Sequence, residues 1–357
     1  MEIGVCTWVR VHPTKPQPLP EAYREFFEQG VLAEELGFDE MWLSEHHFAA
    51  DAWNPSQFPN LAALAARTNR IRLGTYVLLL PLHNPIRVAE DAATVDIISN
   101  GRLDLACGGT AMEVECKTFG INPTESFGRS YEALTIIEKC FTEDEFSYQG
   151  KYFNFPNVRM TTKPVQKPRI PIYIGALGPQ SLERAAKRGY NLASAFHSPI
   201  WPKYGETQRK LGRKRDSYRI VSGPLFVHVA ENRNKAWDEA EEGIHWAMSF
   251  YRQQAPGRHY PINTVIKPLP PVGRLRLESE KSTYGLTPAV GSVDDVLRIL
   301  SAYRDEDVDQ LVPNFHYPGM NFEYAKRSMR TFAKEIMPEI RKWGRVPGTG
   351  GGAAASQ

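Results

Sequence analysis

The sequence has few cysteines and no long apolar segment. The four cysteines are Cys6, Cys107, Cys116 and Cys140. They show no C-x-x-C spacing and no paired histidine ligands, so we expect buried free thiols in a reducing cytoplasm. The longest apolar run, from Val77 to Leu82, is far too short to cross a membrane. The N-terminal stretch lacks the charged and apolar regions of a signal peptide, and the sequence therefore predicts a cytoplasmic protein.

The sequence also lacks a marked excess of charge of either sign. Its 43 lysines and arginines nearly balance its 41 aspartates and glutamates, and no basic run is interleaved with aromatic residues. A nucleic-acid partner is therefore not expected. No predicted strand is followed by a G-x-G-x-x-G or P-loop sequence, which argues against a doubly wound nucleotide-binding sheet.

What is present is an alternation of short apolar strands and amphipathic helical patterns. In residues 1–110 four strand–helix units follow one another, which is typical of a parallel sheet with helical crossovers. Eight strands are predicted along the chain, at residues 2–8, 38–44, 71–77, 103–107, 171–175, 190–196, 219–229 and 308–313. Eight strands separated by helices predict an α/β fold, a single (β/α)8 TIM barrel spanning residues 1–343.

Three segments depart from this alternation. A hairpin is predicted to turn at Gln149-Gly150. Residues 253–290 contain many prolines and glycines with little periodicity, and a structureless loop of this length is usually functional or mobile. Residues 344–357 have the composition of a flexible tail.

Polar clusters follow the predicted strands at their carboxyl ends. They are Thr7 with Arg10, Glu45 with His46 and His47, the loop 81–84, residues 108–113 and residues 175–181. Active sites of (β/α)8 barrels lie on the loops at that end of the strands. This distribution favours an enzyme.

The chemistry of each cluster has more than one interpretation. His46 and His47 point to opposite faces if the strand continues, and either suits proton transfer or a hydrogen bond to a loop carbonyl. Two adjacent histidines alone chelate a metal poorly, so no metal site is predicted. Gly108-Gly109-Thr110 would admit a flat ring or a phosphate, or form a tight turn. Gln180 and Ser181 at a helix start suit a phosphate or an ordinary N-cap.

Together these stretches resemble the bacterial luciferase-like flavin-dependent monooxygenase family. The segments that carry the resemblance are GFDEMWLSEHHF, RIRLGTYVLLLPLHNPIRVAEDAATVDIISNGRLDLACGGT, FSYQGKYFNF, PIYIGALGPQSLERAAKRG, VGSVDDVLRIL and SMRTFAKEIMPEIR. They occur in the family's order across residues 1–343. The resemblance implies a (β/α)8 barrel that binds reduced FMN or, in a sister branch, the deazaflavin F420.

The resemblance also implies roles for individual residues. His46 matches the histidine that the family uses near the flavin C4a position in oxygen chemistry, which makes it the catalytic candidate. The Tyr76–Val77 peptide bond, often cis in the family, would pack against the isoalloxazine ring. The cofactor-binding candidates are Glu45, Tyr76, Val77, Gly108, Gly109, Thr110, Arg129, Tyr131, Ala176, Leu177, Gly178, Gln180 and Ser181.

One position departs from the family pattern. Luciferases have a phosphate-holding arginine where this sequence has Gly109. Phosphate binding would then rest on other groups, with Thr110, Arg129 and Tyr131 as candidates beside the 177–181 loop.

The resemblance implies a two-component monooxygenase. Reduced FMN from a separate NAD(P)H:flavin reductase would react with O2, and one oxygen atom would enter an organic substrate. An apolar substrate and ordinary core packing account equally well for the aromatic residues near loop ends: Trp8, Trp53, Phe196, Trp201 and Tyr317. A homodimer is also implied. The family often has a mobile loop at this place in the chain, which makes residues 253–290 the candidate lid. Two alternatives remain open, an F420-dependent hydride-transfer enzyme on the same scaffold and a flavin-binding paralogue without catalysis.

Overall fold

Eight parallel strands close into a barrel, and the order of the strands around the barrel follows the order of the chain. This computed structural model describes residues 1–110, 112–176, 178–194, 200–253, 271–278 and 287–343. The strands are β1 (Glu2–Thr7), β2 (Glu40–Leu43), β3 (Arg72–Leu79), β4 (Leu103–Gly108), β5 (Phe146–Gln149), β6 (Asn154–Val158), β7 (Ile172–Gly175), β8 (Asn191–Ser194), β9 (Ile220–Val229), β10 (Ala289–Gly291) and β11 (Gln310–Asn314). The barrel runs β1-β2-β3-β4-β7-β8-β9-β11 and closes by the pairing of β11 with β1.

Helices connect the strands and cover the outside of the barrel. They are α1 (Leu19–Glu35), α2 (Gln57–Ala65), α3 (Pro85–Ile98), α4 (Glu113–Thr118), α5 (Ser126–Thr142), α6 (Pro179–Arg188), α7 (Ile200–Lys210), α8 (Arg233–Gln253), α9 (Leu275–Glu278), α10 (Val293–Leu300), α11 (Phe322–Thr331) and α12 (Met337–Lys342). A π-helical turn, Phe332–Ile336, joins the last two helices. None of the helices in these described segments is long and apolar enough to cross a membrane.

The predicted (β/α)8 barrel is confirmed, and each of the eight predicted strands contributes one barrel strand. The predicted hairpin is also present, as the antiparallel pair β5–β6. Helices α4 and α7 were not predicted from the sequence.

The prediction of an irregular segment over residues 253–290 is wrong in two places. Leu275–Glu278 forms the short helix α9, and Ala289–Gly291 forms β10, which pairs in parallel with the end of β9. Three residues are too few to show a periodic pattern in sequence. The rest of the predicted lid (254–270 and 279–286) and the predicted tail (344–357) lie outside the described residues.

The lumen of the barrel is filled by side chains. Trp42 of β2 lies at its centre and packs edge-on against Tyr76 and Tyr173, with ring centroids 5.4 and 5.5 Å away. Gly74 makes room for this indole, since a Cβ atom there would lie 2.3 Å from Trp42 Cε3. The lumen around Trp42 is therefore a packed core, as is usual for barrels of this kind.

Candidate active site

The polar clusters predicted from the sequence meet at one end of the barrel. Glu45, His46 and His47 follow β2, while Gly108 and Gly175 end β4 and β7. Because the barrel strands are all parallel, their carboxyl ends open onto the same mouth. These residues therefore cluster because the strands that precede them all end at the same mouth.

His46 is held in place by a carboxylate from a helix that lies far away in the sequence. Its Nδ1 lies 3.0 Å from Oε1 of Glu115, which is on α4. Trp53 and Phe250 pack against the imidazole, with ring centroids 4.6 and 5.0 Å away. The His46 ring is therefore oriented by a carboxylate and enclosed by aromatic groups.

Glu115 joins three segments of the mouth. The Glu115 carboxylate also accepts a hydrogen bond from the His47 backbone N–H at 2.9 Å and one from the hydroxyl of Thr110. Burial alone would raise the pKa of Glu115, but the hydrogen bonds from His46, Thr110 and the His47 backbone lower that pKa below its ordinary value. Glu115 is thus a buried, ionised carboxylate.

A second carboxylate, Glu45, binds two other histidines. Glu45 Oε1 lies 2.8 Å from His47 Nε2 and 2.7 Å from His83 Nε2, and its Oε2 accepts the Leu79 N–H at 3.2 Å. Burial raises the pKa of Glu45, but both histidines outweigh this effect and the net pKa is lowered. Burial lowers the pKa of His83, but its hydrogen bond and attraction to Glu45 raise the net pKa.

The peptide bond between Tyr76 and Val77 is cis, as the resemblance implied. The Tyr76 hydroxyl donates to the Ser194 carbonyl at 2.7 Å. The Val77 side chain fits between two glycines at the strand ends. A Cβ atom on Gly108 would lie 2.7 Å from Val77 Cγ2, and one on Gly175 would lie 3.0 Å from Val77 Cγ1. Close packing of Val77 therefore requires glycine at 108.

A narrow cavity opens beside these glycines. The residues that line it are Cys107, Gly108, Gly109, Phe127, Ser130, Tyr131, Leu134, Ile174, Gly175 and Ser181. A Cβ atom on Gly109 would lie 3.1 Å from both Phe127 Cε1 and Ser126 Oγ, so a larger side chain would have to displace Phe127. Phe127 and Ser126 thus leave no room for an arginine side chain at position 109 unless Phe127 moves.

Several of the predicted cofactor residues lie either at this cavity or around the start of α6. Tyr131 and Ser181 lie at the cavity, and the Tyr131 hydroxyl is 3.3 Å from the Ser181 carbonyl. Gly178 is the N-cap of α6, and Gln180 is exposed in the first turn of that helix. Ala176 lies before the helix begins. Leu177 lies outside the described residues.

Two of the phosphate candidates already have partners elsewhere. The hydroxyl of Thr110 donates to Glu115, on the side of His46. The guanidinium of Arg129 lies over the rings of Phe153 and Tyr152, with its carbon 5.1 and 5.6 Å from their centroids. Neither of these contacts involves a residue of the 178–181 segment.

Aromatic side chains surround His46 on the remaining side. Trp8 packs against Trp53 at 5.4 Å and against Phe226 at 6.0 Å between centroids. Arg10 lies 3.9 Å above the Trp53 ring and pairs with buried Asp51 at 2.6 Å. This wall is mostly apolar, with one buried ion pair behind it.

Three other aromatic residues were predicted to lie near loop ends. Tyr317 is buried and packs against Phe226, with ring centroids 5.8 Å apart. Trp201 is buried at the start of α7 and packs against Tyr303, with ring centroids 5.8 Å apart. Phe196 lies outside the described residues.

Sequence reasoning missed two residues of the site. Glu115 lies 69 positions after His46, and His83 lies 38 positions after Glu45. His83 falls in the 81–84 loop that the sequence marked as a polar cluster, but nothing in the sequence paired it with Glu45. Glu115 had no local signal, because α4 was not predicted.

The chain is similar to known proteins in both sequence and structure. A family model described as luciferase-like monooxygenase matches residues 1–310. The oxygenase component of the flavin-dependent trigonelline monooxygenase of Acinetobacter baylyi is 27% identical over 341 residues, which cover 90% of this chain and 91% of that protein. An F420-dependent glucose-6-phosphate dehydrogenase of Microbacterium testaceum is 30% identical over 336 residues, which cover 89% and 94%.

Other matches are shorter or structural. The chain spans about half the length of two uncharacterised proteins of Sinorhizobium fredii, one of them 35% identical over 178 residues, 50% of this chain and 51% of that protein. A crystal structure of a monooxygenase from Streptomyces bottropensis has a TM-score of 0.81 and 24% identity, and the match covers 95% of this chain and 99% of that chain. The structural likeness supports the fold, and the match of the family model shows that the chain belongs to the luciferase-like monooxygenase family.

Proposed function

We propose that this protein is the oxygenase component of a two-component monooxygenase. It would take reduced FMN from a separate NAD(P)H:flavin reductase and use O2 to insert one oxygen atom into an apolar organic substrate. Membership of the family supports an enzyme with a flavin or deazaflavin cofactor. We further propose that it works as a homodimer in the cytoplasm.

The mouth of the barrel has groups that fit a flavin. Val77 packs closely on Gly108 and Gly175, and we infer that the low profile of these three strand-end residues leaves room for a flat ring above them. The cavity beside it, with Tyr131 and Ser181, and the start of α6 would hold the phosphate end. Bound reduced flavin would supply the electrons that reduce O2.

The observation that carries the proposal is the arrangement of His46 and Glu115. An ionised Glu115 accepts a hydrogen bond only from a protonated Nδ1, so a neutral His46 has its lone pair on Nε2. That nitrogen can take a proton from a reacting group and return it. Trp53 and Phe250 keep water from the imidazole, which favours controlled proton transfer.

The apolar wall supports the proposed class of substrate. Trp8, Trp53 and Phe226 lie together beside His46, and large apolar side chains of this kind line pockets for apolar ligands. We propose that the substrate binds against this wall, with its reacting carbon near His46.

A second candidate is F420-dependent hydride transfer. It is favoured by the 30% identity to an F420-dependent dehydrogenase along most of the chain. This function would require a groove for the long acidic tail of F420. It would not require reaction of the bound cofactor with O2.

An anaerobic binding experiment separates the two candidates. The protein is titrated with reduced FMN and, separately, with reduced F420, and the bound fraction is measured by equilibrium dialysis. We expect a Kd for reduced FMN at or below the micromolar range, about −8 kcal/mol, and binding of F420 at least about tenfold weaker. Gly108→Val, whose branched side chain collides with Val77, serves as the variant with a blocked site. Binding of F420 alone would overturn the proposal.

A further inference from the structure

Glu45, His47 and His83 form a cluster whose donor atoms converge. One ligand atom from each residue can be chosen so that all three lie within 4.8 Å of one another. Both ring nitrogens point at the same atom, Glu45 Oε1, at 2.8 and 2.7 Å. Glu45 is buried, and the side chains of His47 and His83 are 11% and 29% exposed. The cluster is thus enclosed on the Glu45 side and open to solvent at His83.

The donor set matches a known type of metal site. Two imidazole nitrogens and one carboxylate oxygen bind Zn²⁺ in catalytic sites and leave a fourth position open. Ligand atoms bonded to Zn²⁺ at about 2.0–2.1 Å lie roughly 3.3 Å apart in a tetrahedral arrangement. The nitrogen–oxygen distances here would therefore lengthen by only about half an ångström as the ion replaces the hydrogen-bonding protons.

The three residues come from two neighbouring loops. Glu45 and His47 follow β2, and His83 follows the 3₁₀ turn that ends β3. Glu45 Oε2 accepts the Leu79 N–H, which fixes the carboxylate from outside the ligand set. An ion at this point would connect the loop that carries His46 to the loop after Val77.

We propose that Glu45, His47 and His83 form a binding site for a divalent transition-metal ion of the Zn²⁺ type, distinct from the site at His46. The ion would hold the β2 and β3 loops together and so set the position of His46. The inference does not depend on the proposed function, because ion binding is measured without flavin.

The proposal is tested by metal titration of the full chain. Protein freed of metal with a chelator is titrated with Zn²⁺ against a chromophoric competitor. We expect the wild-type chain to bind one Zn²⁺. His83→Ala and His47→Gln should each lower the affinity for Zn²⁺ at least about tenfold. Even the loss of a residue that only hydrogen-bonds to a metal ligand typically costs that factor. His12→Ala is the matched control, since His12 contacts Thr14 on the loop after β1. It should bind Zn²⁺ as the wild type does.

Co²⁺ provides a second measurement that does not depend on variants. In place of Zn²⁺ it should give the intense visible absorption of a four-coordinate ion in the wild-type protein. Equal Zn²⁺ affinity in wild type and His83→Ala, or a weak six-coordinate Co²⁺ spectrum, would overturn the proposal. If His83→Ala does not fold, the Co²⁺ spectrum of the wild type decides alone.

Discussion

At the scale of single residues, the site depends on two buried carboxylates with different tasks. Glu115 orients His46 and also holds the His47 backbone, while Glu45 pairs with the side chains of His47 and His83. The two adjacent histidines therefore belong to two different networks. Each histidine of the EHH stretch thus has a carboxylate partner of its own, Glu115 for His46 and Glu45 for His47.

The role of Glu115 is tested by Glu115→Gln. The amide keeps the size of the side chain but loses the charge that favours a proton on His46 Nδ1. We expect the rate of reaction of bound reduced FMN with O2 to fall about tenfold or more, because proton transfer by a positioned group is typically worth at least that factor. Affinity for reduced FMN should change little. Both are measured on the same preparation, by stopped flow and by anaerobic dialysis.

Glu113→Gln is the matched control on the same helix. Glu113 is partly exposed and pairs with Lys117 on the surface of α4. Its replacement should leave both quantities unchanged. If Glu113→Gln lowers the rate as much as Glu115→Gln does, the effect belongs to the stability of α4 and the orienting role of Glu115 is wrong.

At the scale of secondary-structure elements, the site depends on how closely three strand ends approach. Val77 at the carboxyl end of β3 packs between Gly108 of β4 and Gly175 of β7. The register of β3 against β4 shifts between Thr75 and Leu78, directly around the cis peptide bond. The surface that we propose for a flat ring is therefore built by backbone positions.

Gly108→Ala tests this close approach. The added methyl would lie 2.7 Å from Val77 Cγ2 and force the valine to move. We expect a loss of about 1–3 kcal/mol in the free energy of unfolding, as for other overpacked cores, and weaker binding of reduced FMN. Chemical denaturation measures the first quantity and anaerobic titration the second.

Gly178→Ala provides the comparison for stability. A Cβ atom at Gly178 meets no atom within 4 Å, and the backbone φ of −124° suits any residue. Its stability should change by only a few tenths of a kcal/mol to about 1 kcal/mol, the usual range for an N-cap substitution. Equal losses in both variants would show that steric contact with Val77 is not the cause.

At the scale of the whole molecule, the barrel was predictable because its strands are short apolar runs separated by helical patterns. The strand of WLSEHHF and the helix after Pro85 both carry local signals of this kind. Closure then brings the strand ends to one mouth whatever the loops contain. The location of His46 therefore followed from sequence, together with its candidate role.

Pairing between loops was not predictable from the same signals. Glu115 reaches His46 only because β4 lies two strands from β2 and α4 follows it, and no periodic pattern records that approach. His83 meets Glu45 because β3, which it follows, lies directly beside β2, and no periodic pattern records that approach either. Thr110, a phosphate candidate from the resemblance, instead donates to Glu115, which the local Gly-Gly-Thr pattern did not indicate.

The lumen of the barrel contains a further buried acid that affects stability. Burial, followed by the neighbouring carboxylate of Asp104, raises the pKa of Glu40 well above its ordinary value. Glu40 accepts a hydrogen bond from Gln310 at 3.2 Å. Because the folded pKa is raised, the stability contributed by this group is full below the unfolded pKa and is lost as pH rises toward the folded pKa.

Glu40→Gln should remove this pH dependence. Relative to wild type, the variant should gain about 1 kcal/mol or more in the free energy of unfolding between about pH 5 and about pH 8, since each unit of pKa shift is worth about 1.4 kcal/mol. Denaturant unfolding at the two pH values measures it. Glu35→Gln, at an exposed position of α1, is the control. A parallel shift of both variants would contradict the assignment to Glu40.

The central claim is that His46 controls the reaction of bound reduced flavin with O2. The most direct measurement mixes protein loaded anaerobically with reduced FMN against air-saturated buffer in a stopped-flow instrument, for wild type, His46→Ala and His12→Ala. The account predicts that His46→Ala lowers the rate constant for flavin oxidation by about a hundredfold, the lower end of the effect of a proton-transferring group, while His12→Ala matches the wild type. Identical traces for wild type and His46→Ala would contradict it.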